Sequence, residues 1–160
     1  MSLIELLVLV AILAIVATIG VLGLSGAGGE REVEREARRL HALIALACER
    51  AQLGGREHGI EFAIDRYGFV LAATDCWQPI RAGELTTRIL PKPIRLEVRR
   101  DERAFSLGID MLDEPQVLCS PNGEITEFDA RLAAPDGASA WVVRVAADGG
   151  LVVVHEEDRR

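Results

Sequence analysis

Glu5 is the side chain whose type and position best suit a chemical role in this chain of 160 residues. It stands directly before an apolar run, and residues 6–24 include no charged side chain. A carboxylate within an apolar membrane segment costs roughly 3 kcal/mol even on permissive insertion scales, so it is rarely found there without a partner. We therefore interpret Glu5 as a directional docking charge for the N-terminal amine, at Met1, of a neighbouring chain. An unpaired charge in lipid or in an interface would be heavily penalised.

The residue types that most often act as nucleophiles, bases or metal ligands lack the spacing that such sites need. No histidine has another histidine or a cysteine at zinc-ligand spacing, and no serine lies in a nucleophile-elbow sequence. These residues are His41, His58, His155, Ser106, Ser120 and Ser139. The acidic loop with Asp110, Asp113 and Glu114 lacks the ligand series and turning glycine of an EF-hand, so we interpret it as solvated charge. The sequence predicts no enzyme, no metal site and no cofactor.

The cysteines and tryptophans are interpreted first as packing residues. Cys48, Cys76 and Cys119 cannot all pair within one chain, and we interpret them as small buried apolar side chains. One disulfide is the alternative in an oxidising compartment, and the sequence does not select the pair. Trp77 and Trp141 are predicted to fill a core gap or a sheet edge, with a role as interface anchors as the alternative.

The overall charge argues against nucleic acid as a partner. The formal net charge is −7, and 49% of the residues are hydrophobic. Phosphate binding needs clusters of lysine and arginine, whereas each arginine doublet here has an acidic residue close by. These doublets are Arg38-Arg39, Arg99-Arg100 and Arg159-Arg160. The length suits one domain with a short appendage.

The element that must position Glu5 is the apolar N-terminal segment. Roughly 19 residues at 1.5 Å each reach about 29 Å as a helix, which is enough to cross the hydrocarbon core of a bilayer. We predict a membrane anchor over residues 1–24. A cleaved signal peptide is an alternative, but it needs a basic first segment and a shorter apolar run; a plain signal anchor has no use for Glu5. The predicted lipid-facing positions are Leu6, Val10, Leu13 and Val16.

A glycine-rich segment and an amphipathic helix follow the predicted anchor. Residues 25–29 are predicted to be a hinge, because each glycine weakens a helix by up to about 1 kcal/mol; close packing of helices through small residues is the alternative. Residues 30–53 are predicted to form a helix that Gly54-Gly55 ends. Its apolar stripe contains Val33, Ala37, Leu40, Ile44, Ala47 and Ala51. Its charged positions, predicted to face away from that stripe, are Glu32, Arg35, Glu36, Arg39 and Glu49.

Residues 54–160 are predicted to form a β domain. Alternating apolar segments such as 60–64 and 94–98 are separated by turn sequences rich in glycine, proline, asparagine and aspartate. We expect about seven or eight short antiparallel strands in one or two sheets. The fold class is therefore α+β, with one long N-terminal helix, half transmembrane and half amphipathic, packed on the sheets.

The N-terminal residues carry a family resemblance. Residues 2–7, Ser-Leu-Ile-Glu-Leu-Leu, resemble the mature N-terminus of type IV pilins and of type II secretion pseudopilins. In that pattern an N-methylated aromatic residue precedes a small hydroxylated residue and Leu-Ile-Glu-Leu. Met1 occupies the aromatic position, which is the departure from the pattern. The resemblance implies that a prepilin peptidase removes a leader before Met1 and that the new amine is methylated.

The body resembles the H-type minor pseudopilins, GspH, of type II secretion systems. The matching segments are residues 67–70, 77–80, 87–91, 115–128 and 148–152. The resemblance implies a structural subunit at the tip region of a periplasmic pseudopilus that drives export of folded proteins across the outer membrane. It also implies a single-pass protein of the bacterial inner membrane with its C-terminal domain in the periplasm. The implied partners are other minor pseudopilins, the major pseudopilin, the inner-membrane assembly platform, the prepilin peptidase, membrane lipid and, as a further candidate, an exported protein.

A minor pilin of a type IV pilus, acting in priming and assembly or in DNA uptake, is the alternative function. DNA uptake would need a cationic surface near the C-terminus, whereas residues 155–160, His-Glu-Glu-Asp-Arg-Arg, are more acidic than basic. An enzyme held by a signal anchor is a third alternative, and no sequence motif supports it.

Overall fold

The structure, a computed structural model, describes residues 3–100, 103–111, 114–135 and 139–157. These residues form one helix followed by ten strands. The helix α1 spans Leu3–Gly54. The strands are β1 His58–Ala63, β2 Arg66–Ala72, β3 Trp77–Pro79, β4 Arg88–Ile89, β5 Arg95–Arg100, β6 Arg103–Ala104, β7 Val117–Cys119, β8 Asp129–Ala133, β9 Ser139–Val145 and β10 Leu151–Glu157.

Helix α1 is continuous, including residues 25–29. Gly55 follows it with a φ of 62°, the left-handed conformation that ends many helices and that glycine adopts at low cost. The six residues of the predicted apolar stripe are all at most 2% exposed, which confirms the amphipathic pattern of the C-terminal half. That half therefore packs on the sheets through a face that the sequence already defined.

The strands form two antiparallel sheets. The first has the order β3-β2-β1-β7, with β4 also paired to β2, and the second has the order β10-β9-β8-β5-β6. The predicted helix and antiparallel sheets are confirmed. The described residues contain ten strands where seven or eight were expected. The difference arises because β4 and β6 have two residues each, too few to show an alternating pattern.

The hydrophobic core lies between α1 and the inner faces of both sheets. Ile60 and Phe62 of β1 contribute from the first sheet, and Val98 and Leu132 contribute from the second. Each is at most 1% exposed. Because α1 contacts both sheets, it holds them together as one unit.

Two glycines on β1 and β2 let the loop after β6 cross the outer face of the first sheet. A Cβ atom added at Gly59 would lie 2.5 Å from side-chain atoms of Pro115, and one at Gly68 would lie 2.6 Å from the terminal methyl group of Met111. At Gly59 the rigid proline ring leaves no room for a side chain, whereas at Gly68 the flexible end of Met111 would have to move aside. The loop therefore lies directly on the backbone of the sheet.

The side chain of Gln116 extends the pairing of β1 with β7. Its amide oxygen accepts a hydrogen bond from the Phe62 N–H at 2.8 Å, and its amide nitrogen donates to the Phe62 carbonyl at 3.1 Å. Gln116 is only 3% exposed, so water cannot easily replace either bond. The side chain thus acts as a further rung of the ladder.

We expect Gln116→Ala to lower the free energy of unfolding by about 2 kcal/mol, because it leaves two buried backbone groups without their partner. Urea denaturation followed by circular dichroism measures the change. Gln78→Ala, which truncates an exposed glutamine of β3, is the matched control and should change stability by less than about 0.5 kcal/mol. Equal effects of the two variants would contradict this role for Gln116.

Candidate assembly site and the helix–sheet junction

Glu5 lies in the first turn of α1 with an exposed side chain. A carboxylate is favourable there because the N-terminus of a helix carries partial positive charge. Six apolar neighbours are also exposed, by 53% to 69%. They are Ile4, Leu7, Val8, Leu9, Val10 and Ile12. Apolar side chains exposed together in this way are typical of a surface that another molecule or a membrane covers.

The other predicted assembly and anchor positions are only partly described. Met1 lies outside the described residues, and so do the side chains of Leu6, Leu13 and Val16. Val10 is described, and its side chain is 54% exposed. No helix among the described residues is long and apolar enough to cross a membrane.

Glu36 joins α1 to the first sheet by an ion pair. The sequence predicted only that Glu36 lies away from the apolar stripe; its side chain is nevertheless buried, with 1% exposed. Its carboxylate lies 2.7 Å from Nη1 of Arg39, one turn further along α1, and 3.3 Å from Nε of Arg88 in β4. Helix periodicity could not reveal this role, because Arg88 is 52 positions away in the chain.

The aromatic ring of Tyr67 is buried beside this ion pair. Burial raises the pKa of Tyr67 to about 12, and the negative charge of Glu36 adds to the effect, while Arg88 and Arg39 oppose it. Among the described residues, no group forms a hydrogen bond with the Tyr67 hydroxyl. Tyr67 is therefore neutral at physiological pH and reports on the charge of Glu36.

A disulfide bond joins α1 to the same sheet at a second level. Cys48 of α1 is bonded to Cys119 of β7, with 4.8 Å between their Cα atoms. The interpretation of the cysteines as isolated buried side chains is therefore wrong for this pair, and the alternative of one disulfide is confirmed. It is also wrong for Cys76, which is a free and exposed thiol.

The two tryptophans occupy different environments. Trp77 in β3 is half-buried and lines an open groove of about 710 Å³ with Cys76 and Met111. Four carboxylates line the same groove: Glu57, Glu61, Asp75 and Glu114. Within the described residues, which exclude Asp113, no group of histidine, cysteine, aspartate or glutamate side chains is arranged to hold a metal ion.

Trp141 in β9 packs within the chain. Its ring centroid is 4.8 Å from that of His155 in β10, and the guanidinium carbon of Arg38 in α1 lies 5.4 Å from the same ring. An arginine in this position is attracted by the electrons of the indole face. Trp141 thus contributes to the contact between α1 and the second sheet, and the interface role suggested for both tryptophans stays a prediction.

The surroundings of His58 predict that the stability of the domain depends on pH. It is 7% exposed at the start of β1, and its Nδ1 atom lies 3.1 Å from the carbonyl oxygen of Arg56. Burial lowers the pKa of His58 from its usual value of 6.5, and the positive charges of Arg50 and Arg56 lower it further, although the bond to the Arg56 carbonyl opposes them. The folded state therefore binds a proton less readily than the unfolded state.

We expect the contribution of His58 to be complete above pH 6.5 and to decrease as the pH falls below that value, because the unfolded chain is protonated first. Urea midpoints of the wild type and of His58→Gln at pH 7.5 and pH 5.5 measure it. The midpoint should fall more on acidification in the wild type than in the variant. An equal fall in both proteins would contradict the assignment.

Comparison with known proteins places this geometry in a structural class. No protein-family model matches the chain. The minor pseudopilin EpsH of the Vibrio cholerae type 2 secretion system superposes with a TM-score of 0.66 at 20% identity, covering 77% of this chain and 95% of that one. The solution structure of Escherichia coli GspH gives a TM-score of 0.59 at 20% identity, covering 81% and 92%. The fold, one long N-terminal helix packed on two antiparallel sheets, is that of a pilin-like subunit.

The particular family follows from sequence similarity. The chain is 31% identical over 119 residues to type II secretion system protein H of Pseudomonas aeruginosa, and the match covers 67% of each chain. The chain belongs to this family, the H-type minor pseudopilins of the type II secretion system. The resemblance inferred from the sequence is therefore confirmed, and the comparisons favour it over the type IV pilus alternative.

Proposed function

We propose that this protein is a structural subunit in the tip region of the periplasmic pseudopilus, which drives export of folded proteins across the outer membrane. The observation that carries the proposal is the division of α1. Its first turns expose apolar side chains around Glu5, whereas residues 33–51 of the same helix are packed on the β domain. One continuous helix thus connects an assembly segment to a folded body. The proposed function is structural and involves no catalysis.

The proposed anchor is residues 1–24, whose apolar segment 6–24 would hold the protein in the bacterial inner membrane with the β domain in the periplasm. Its length supports this proposal, since roughly 19 helical residues match the hydrocarbon thickness of a bilayer. Leu6, Val10, Leu13 and Val16 are its proposed lipid contacts. Residues 25–29 are the proposed hinge between the anchor and the body.

The proposed assembly step pairs two charges. Glu5 of one subunit binds the N-terminal amine of its neighbour in the filament, and burial of the two charges in the interface makes this pairing directional. Cleavage by the prepilin peptidase before Met1, and methylation there, prepare the amine. The proposed partners are the other minor pseudopilins, the major pseudopilin and the inner-membrane assembly platform, with an exported protein as a further candidate.

The proposal is tested by Glu5→Ala in a strain that lacks the wild-type gene. We expect normal amounts of protein in the membrane fraction, at least a tenfold loss of secreted substrate and no co-purification of sibling pseudopilins. Glu49→Ala, which removes an exposed glutamate from the other half of α1, is the control and should secrete normally. Normal secretion and co-purification with Glu5→Ala would refute the proposed assembly role.

A further inference from the structure

Three largely exposed isoleucines surround the turn between β1 and β2. Ile64, Ile89 and Ile109 are 55%, 65% and 73% exposed. The Ile64 N–H donates a hydrogen bond to the carbonyl of Gly108 at 2.9 Å, which brings the segment with Ile109 to this turn. Ile89 pairs with Arg66, the first residue of β2. Three separate segments therefore meet at this turn, and each has an exposed isoleucine; we call these three residues the isoleucine patch.

The position of the patch along α1 follows from the two helix–sheet links. At the start of β1, His58 pairs with Cys119, which is bonded to Cys48 of α1. Near the end of β1, Arg88 of β4 contacts Glu36 of α1. Strand β1 thus runs antiparallel to α1. The turn after β1, with the isoleucine patch, lies at the end of the domain that faces the N-terminal half of α1.

The distance from this end to the proposed anchor is short. Residues 24 and 36 are 12 positions apart (36 − 24 = 12), which corresponds to about 18 Å of helix. The turn lies two or three strand residues beyond the level of Glu36, or roughly 8 Å closer to the anchor. The distance that remains between the turn and the end of the anchor is about 10 Å. The headgroup layer on each side of a bilayer is roughly 5–8 Å thick. The turn therefore lies roughly 2–5 Å beyond the headgroup layer.

The charged side chains at the same turn include two basic and two acidic groups, so the turn carries no excess negative charge from these four groups that would repel a phospholipid surface. Arg66 carries a guanidinium group that binds Asp65 at 2.7 Å, and Lys92 is close enough for its positive charge to lower the pKa of Asp65 further. Asp110 is the other acidic group that acts on Arg66. Arginine and lysine beside exposed apolar side chains are typical of segments that lie in the interfacial layer of a membrane.

We propose that the isoleucine patch rests on the phospholipid surface of the membrane that holds the anchor, before the subunit enters the filament. This contact would fix the tilt of the β domain and present Glu5 and the amine in a constant orientation. The inference rests on the proposed membrane anchor and adds a second, peripheral contact to it. A single helical tether alone would leave the domain free to rotate and tilt.

The test uses the full chain in vesicles of phosphatidylethanolamine and phosphatidylglycerol. A single cysteine is introduced by Ile109→Cys in a Cys76→Ser background and labelled with an environment-sensitive fluorophore. The control carries Leu53→Cys in the same background, because Leu53 is 80% exposed at the opposite end of the domain. Spin-labelled lipids with the nitroxide in the headgroup region quench fluorophores near the surface. We expect at least threefold stronger quenching at position 109 than at position 53.

Each outcome separates the inference from the proposed function. Flotation of the vesicles after carbonate washing reports on the anchor, independently of the fluorophore. A chain that floats, with equal quenching at both positions, overturns the patch contact and leaves the anchor in place. A chain that does not float overturns both. A third outcome is weak quenching at position 109 in vesicles, with the fluorophore shielded from water only when sibling pseudopilins are added. This outcome also overturns the lipid contact and assigns the patch to a subunit interface.

A second variant tests whether the three isoleucines contribute to the contact with the lipid surface. Serine at all three positions of the isoleucine patch should leave flotation intact and reduce quenching of a fluorophore placed at Lys92→Cys at least twofold. The substituted side chains are exposed, so the fold should tolerate them. Unchanged quenching in this variant would also overturn the inference.

Discussion

Replacing Cys48 and Cys119 together by alanine is expected to lower the free energy of unfolding by about 4 kcal/mol, the largest effect of any substitution considered for the β domain. The two residues are 71 positions apart, so their bond closes a long loop and strongly restricts the unfolded chain. For a domain of this size such a loss is a large fraction of the total stability. Guanidinium denaturation, followed by circular dichroism, measures it directly.

The free cysteine provides the matched control. Cys76→Ser alters an exposed thiol that is not part of the bond, and we expect a change of less than about 0.5 kcal/mol. Reduction of the wild type with dithiothreitol should reproduce most of the loss seen in the double alanine variant. A reduced wild type as stable as the oxidised protein would show that the bond does not stabilise the fold.

Glu36→Ala is expected to cost about 3 kcal/mol, the lower end of the range for breaking a buried ion pair. The carboxylate is buried, and its removal deprives two guanidinium groups of their partner. The loss stays at the lower end because Arg39 and Arg88 are 41% and 39% exposed and can turn towards water. Denaturation in urea measures the change.

The tyrosine beside Glu36 gives an independent readout. Because the charge of Glu36 helps to raise the pKa of Tyr67, ionisation of Tyr67, measured by absorbance at alkaline pH, should begin at lower pH in Glu36→Ala. Glu32→Ala breaks only the surface pair with Arg35 and should cost roughly 0.5 kcal/mol. If the two variants were equally stable and the Tyr67 titration were unchanged, Glu36 would have no special role at the junction.

The parts of the fold that follow from short-range pattern were predictable. The apolar stripe from Val33 to Ala51 repeats every three or four residues, and each of its members is buried. Strand β5 alternates clearly, with Leu96 and Val98 buried between exposed neighbours. Such elements can be predicted because the geometry of a helix or a strand places side chains of one periodicity on one face, and that face is the one that is buried.

The parts that depend on long-range partners were not predictable. Glu36 is a charged residue of the kind usually found at the surface. It is buried here because the first sheet places Arg88 beside it. The pairing of Cys48 with Cys119 likewise requires the register that places β7 beside β1. Sequence spacing contains no information on either contact.

The candidate assembly site was chosen from the sequence on a different ground. Glu5 is conspicuous because charge and apolar context conflict there, and that conflict needs no fold to be visible. In the structure Glu5 lies exposed in the first turn of α1, and its pairing with an amine stays a prediction. Trp141 shows the limit of the same reasoning, since its contacts with Arg38 and His155 come from two distant elements.

The covalent link between α1 and β7 also has a mechanical meaning. A subunit that is drawn out of a membrane by its helix carries a load along the helix axis. Under the proposed function, that load would reach the first sheet directly through Cys48 and Cys119, without passing along the intervening chain of the loop. The packed stripe and the link lie side by side along the axis, so they would be strained together in shear and not one after another. The β domain would then move together with α1 as one rigid unit.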